Sequence, residues 1–159
     1  MIKKLFYFLI FLFTISCNES NLKLIEKATY SNLKEEQLGQ SVYYVKIPST
    51  MFIEEVRGKE GQIGYGLWQI DSAIRYKSFS GFIEIEHGNP IGRQPDLENV
   101  IEKVRSFIQN KSVKWEIGIT ENGSYEATAY WNKLTFNGSA STREELDSVI
   151  SILSTLSSR

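Results

Sequence analysis

Apolar and polar positions alternate with two different periods along this chain, and each change of period marks a new element. Val42 to Ile47 alternates weakly and stops at Pro48, which lacks the N–H that a strand ladder needs. Phe52 to Arg57 and Gln62 to Ile70 read as a hairpin about Gly58-Lys59-Glu60-Gly61, with Ile63, Tyr65 and Leu67 on one face. Phe82 to His87 alternates again and sets Ile83 and Ile85 against Glu84 and Glu86. After Pro95 the period lengthens. Leu97, Val100, Ile101, Val104, Phe107 and Ile108 follow the i, i+3, i+4, i+7 pattern and predict a helix with Val104 in mid-stripe. Asp96 and Glu98 fall in its first turn, where the helix dipole favours negative charge.

Lys114 to Phe136 returns to strands, and spacing selects the turn. A two-residue Asn122-Gly123 turn would set Ile119 against Glu126. A three-residue loop, Glu121-Asn122-Gly123, instead pairs Ile119 with Tyr125 and Ile117 with Ala127, joining the two apolar sets on one face. The bulged turn is therefore expected. The chain closes on an amphipathic helix: Ser141 or Thr142 caps it, Glu144 or Glu145 completes a capping box, and Leu146, Val149, Ile150, Leu153 and Leu156 form its stripe. These elements predict an α+β fold: a single domain over 41–159 with an antiparallel sheet of about six strands covered by two amphipathic helices. Their order resembles the Mog1/PsbP-like fold of small binding proteins over residues 41 to 157.

The N-terminus follows neither period. Lys3 and Lys4 precede Leu5 to Ile15, an apolar run that as a helix would cover about 16 Å, roughly half a bilayer core. Ser16 then stands before Cys17, the only cysteine. The stretch Thr14-Ile15-Ser16-Cys17 resembles the lipobox of bacterial lipoproteins, with Thr14 where that family prefers Leu. The resemblance implies a signal peptide over 1–16, cleavage before Cys17, acylation of its thiol, and a cell-envelope location facing the periplasm or the cell surface. Residues 17–40 are polar and read either as a tether, with a reach of about 25 to 30 Å, or as a short N-terminal helix.

Composition narrows the chemistry. Acylation of Cys17 leaves no thiol for a disulfide, a zinc site or a nucleophile. Loss of Lys3 and Lys4 from 18 basic residues leaves 16 against 19 acidic, a formal charge of −3. That balance offers no footprint for nucleic acid, and no basic patch for anionic lipid is legible. His87 is the only histidine, and strand alternation turns it away from Glu84 and Glu86. His87-Gly88-Asn89-Pro90 reads as a turn, and no metal site or cofactor is expected. Gly61, Gly64 and Gly66 lack the order of a dinucleotide or P-loop motif and suit a turn and close strand packing. Asp71-Ser72-Ala73 resembles an envelope O-glycosylation acceptor, which makes Ser72 a candidate for modification.

Aromatic residues are the remaining signal. Tyr43 and Tyr44 are strand neighbours and must face opposite ways, as must Tyr130 and Trp131, so part of this surface should be exposed. The expectation is a lipid-anchored, non-catalytic binding module for a protein, peptide or glycan, in the manner of immunity lipoproteins that neutralise toxins. The alternative is a small envelope hydrolase with its site near His87.

Overall fold

The computed structural model describes residues 21–29, 31–57, 63–70, 77–85, 97 and 99–159. In chain order the strands are β1 (Lys23–Leu24), β2 (Leu33–Gln37), β3 (Tyr43–Pro48), β4 (Met51–Arg57), β5 (Ile63–Ile70) and β6 (Lys77–Ile85). There follow β7 (Val100–Ile108), β8 (Lys111–Ile119), β9 (Tyr125–Trp131), β10 (Leu134–Ala140), one helix α1 (Arg143–Leu153) and β11 (Ser157–Ser158). Eight strands make one sheet in the order β1-β7-β8-β9-β10-β6-β5-β4, and three make a second in the order β11-β3-β2. The expected α+β fold, a sheet of about six strands under two helices, is therefore corrected. The described chain is mostly β, with two sheets and one helix.

The helix expected from Leu97 to Ile108 is the strand β7, and its turn explains why. Ile108 pairs with Lys111 across a two-residue connection, Gln109-Asn110, with φ of 48° and 64°. Two positive φ values in a two-residue loop define the hairpin turn whose twist matches that of its strands. Asn132-Lys133, at 50° and 64°, repeats the device between β9 and β10. Within β7 the buried side chains alternate as Val104, Ser106 and Ile108. Ser106 breaks the apolar pattern that would announce this alternation. Its hydroxyl is satisfied inside the core, accepting from Trp115 Nε1 at 2.9 Å and lying 2.7 Å from the donating Ser154 Oγ. Val104 is fully buried, as expected, but from a strand.

Three other local expectations stand: β4 pairs with β5 as the expected hairpin, with Tyr65 and Leu67 buried on one face. Ile119 pairs with Tyr125 and Ile117 with Ala127, and Gly123 takes φ of 79° in the bulged turn. Thr142 caps α1, accepting from the Glu145 amide while the Glu145 carboxylate accepts from the Thr142 amide. The described part of residues 17–40, read as a tether or short helix, supplies β1 and β2 and buries Ile25 and Leu38.

Helix α1 packs on β6, β9 and β10 and also touches β3, so helix and small sheet share one face of the large sheet. We call this the inner face. Gly81 and Gly138 bring the helix close: a Cβ on Gly138 would lie 2.9 Å from Val149 Cγ1. Trp115, Phe136, Ile117, Leu134, Leu146 and Ile150 fill the core between the layers. Charge ties the edge down: Arg143 Nε donates to Glu102 at 2.9 Å, Arg143 also pairs with Asp147, and Lys23 pairs with Asp147 at 2.9 Å.

Candidate binding cleft

The face of the large sheet turned away from α1 carries a concavity built from several strands. Its floor comes from alternate positions on four adjacent strands. Gly66 pairs with Phe82, Phe82 with Asn137, and Asn137 with Thr128. Glycine shapes this surface. A Cβ on Gly64 would lie 2.0 Å from Phe82 Cζ, and one on Gly66 would lie 2.5 Å from Trp68 Nε1. Both aromatic rings therefore lie down over bare backbone, where any larger residue would lift them. Gly118 does the same for main chain, since its Cβ would meet the Asn99 carbonyl at 3.0 Å and Leu97 Cβ at 3.3 Å.

Trp68, Phe82 and Leu97 form the apolar walls of a cleft of about 230 Å³, and Glu126, Thr128 and Asn137 supply its polar groups. Thr128 is 1% exposed and its Oγ1 has no hydrogen-bond partner among the described residues. Leaving a buried hydroxyl unpaired costs about 1–3 kcal/mol, so such a group in a native fold calls for an explanation. The cleft is smaller than the roughly 300–1,000 Å³ of pockets that enclose a drug-sized molecule. It can take one ring or one side chain, held by aromatic faces and oriented by a hydroxyl, an amide and a carboxylate.

The aromatic residues singled out from sequence are not brought together. Tyr43 and Trp131 pack against the core, while Tyr130 is exposed on the outer face of β9. Tyr44 lies on the small sheet beneath Arg159, whose guanidinium carbon is 4.7 Å from its ring centroid. Cys17, Ser72 and His87 lie outside the described residues. Among those described, no group of three or more His, Cys, Asp or Glu side chains could hold a metal ion.

Sequence reasoning missed Trp68, Phe82 and Thr128. The legible signal was Gly64-x-Gly66 within a strand, read as close packing without the rings that fill it. No protein-family model matches the chain, and no curated protein matches it.

Proposed function

We propose that this chain is a bacterial envelope lipoprotein, anchored through Cys17, that works by binding, with the outer-face cleft as its ligand site. The observation that carries the reading is the Thr128 hydroxyl, buried without a partner at a cleft walled by Trp68 and Phe82. A ligand that donates to or accepts from this oxygen recovers the hydrogen bond that folding leaves unmade. The aromatic walls suit the apolar face of a sugar ring or the side chain of a peptide. The reading requires no cofactor. The lipid places the domain at the periplasmic or outer surface of a membrane, where glycans, peptides and secreted proteins are within reach.

Affinity capture of envelope components by the full chain tests this. The captured species should be lost with Phe82→Ala and with Thr128→Val while thermal unfolding remains cooperative. Retention by both variants would overturn the cleft assignment. Cys17→Ser should abolish acylation and leave the precursor uncleaved, and an identical mature N-terminus in that variant would overturn the anchor.

A further inference from the structure

The N-terminal strand is fastened to the domain at its edge. Lys23 and Leu24 pair in parallel with Val104 and Arg105, the Ile25 amide donates to the Arg105 carbonyl at 2.8 Å, and Lys23 pairs with Asp147 at 2.9 Å. Six peptide steps separate Cys17 from Lys23. Fully extended, they span about 20 Å. A lipid on Cys17 therefore holds this edge of the sheet within that distance of the headgroups, closer than a free tether over 18–40 would.

The outer face at this edge has matching chemistry. Leu24 pairs with Arg105 and Arg105 with Lys114, while Tyr130 lies one residue beyond the Trp115–Ala129 pair, beside Lys114. These four residues form a row across β1, β7, β8 and β9, about 14 Å wide at the usual strand spacing. Leu24 is 39% exposed, Phe107 40% and Tyr130 46%. The Arg105 guanidinium carbon lies 5.9 Å from the Phe107 ring centroid. Lys103 extends the patch and pairs with Glu116 at 3.1 Å. Lys103, Arg105 and Lys114 thus stand against one carboxylate, a local excess of positive charge on a chain of net negative charge. The basic patch not legible along the chain is assembled across strands.

We infer that this face of the sheet, centred on Leu24, Arg105, Phe107, Lys114 and Tyr130, rests on the surface of the bilayer that carries the Cys17 lipid. The inference rests on the lipoprotein reading. Exposed aliphatic and aromatic side chains enter the headgroup boundary, tyrosine favours that depth, and the long cationic stems reach lipid phosphate. The occupant is the bilayer because the chain is tied to it six residues away. The consequence is a domain held in one orientation, with the β1 edge of this face down. The ligand cleft lies on the same face, from β9 toward β5, and so opens beside the membrane contact rather than under it.

The sole cysteine makes a clean test. Acylation consumes the Cys17 thiol, so a cysteine placed at Ser112, opposite Phe107 in the ladder, or at Val56 on the far edge strand is the only one labelled. Full-length acylated protein carrying an environment-sensitive fluorophore at either site is reconstituted in phosphatidylethanolamine–phosphatidylglycerol vesicles with brominated acyl chains. Quenching should appear at Ser112 and not at Val56. Arg105→Gln with Lys114→Gln should weaken it, by about fivefold in the apposed population for each cation lost. Equal quenching at both sites, or none at Ser112 with Cys17 acylated, would overturn the apposition while leaving the anchor intact. Shielding of Ser112 from aqueous iodide without bromolipid quenching would identify a protein on this face and also overturn it. An unmodified mass at Cys17 would remove the lipoprotein reading, and the inference with it.

Discussion

Two buried hydroxyls, one on each face of the large sheet, have opposite fates. Ser106 on the inner face accepts from Trp115 and is joined to Ser154. Thr128 on the outer face is equally buried and has no partner among the described residues. Two pairs of glycines repeat the contrast. Gly81 and Gly138 lie under Val149 and Leu153 of the helix, whereas Gly64 and Gly66 lie under the rings of Phe82 and Trp68. The inner face is closed by the chain's own elements, and the Ser106 and Ser154 hydroxyls buried in it both have partners. The outer face has its own apolar walls but leaves the Thr128 hydroxyl without a partner among the described residues, the contrast on which the proposed ligand site rests.

The strongest way to break this comparison is to hollow the inner face. Ile150→Ala, in mid-stripe on α1 and fully buried, should cost about 2–5 kcal/mol. An unchanged urea midpoint would show that the helix does not close the core. The two hydroxyls give a sharper test. Ser106→Ala leaves the buried Trp115 N–H without its acceptor and should cost about 1–3 kcal/mol, whereas Thr128→Val removes an unpaired group and should be close to neutral or stabilising. A comparable loss in both, by denaturant unfolding, would mean that Thr128 is satisfied in solution.

The glycines test the same contrast through shape. Gly138→Val drives new atoms into Val149 and should cost about 1–3 kcal/mol by overpacking. Gly64→Ala meets only the far end of the Phe82 ring, which can swing away. Its cost should stay below about 1 kcal/mol, but near-ultraviolet dichroism and ligand capture should change. Equal destabilisation by the two would place both faces in one rigid core.

The smallest effect concerns pH. Burial first, and the negative charge of Glu55 second, raise the Tyr65 pKa above its ordinary value of 10.0, against the lowering influence of Arg57. The unfolded chain releases this proton before the folded one does. Stability is thus fully present below about pH 10 and falls as pH rises through the folded pKa. Tyr65→Phe should flatten that alkaline decline, and an unaltered profile would show that Tyr65 titrates freely.

The local pattern specified several features without any long-range knowledge. Alternation put Tyr65 and Leu67 on the buried face, spacing chose the Glu121-Asn122-Gly123 loop, and the Thr142–Glu145 box fixed the start of the helix. Each depends on residues within a few positions of one another, which is the range over which a turn or a cap is decided. The lipobox resemblance at Cys17 is local in the same sense. The segment from Val100 to Ile108 fits both periods, and sequence alone favours the helix because Ser106 looks polar. Tertiary structure decides for the strand, because only there can the Ser106 hydroxyl meet Trp115 and Ser154, and because the Gln109-Asn110 turn delivers β8 alongside. The same is true of both surfaces described above. The cleft joins Trp68, Phe82, Thr128 and Asn137, and the edge row joins Leu24, Arg105, Lys114 and Tyr130. Their members are scattered along the chain and become neighbours only through cross-strand register, which no local periodicity encodes.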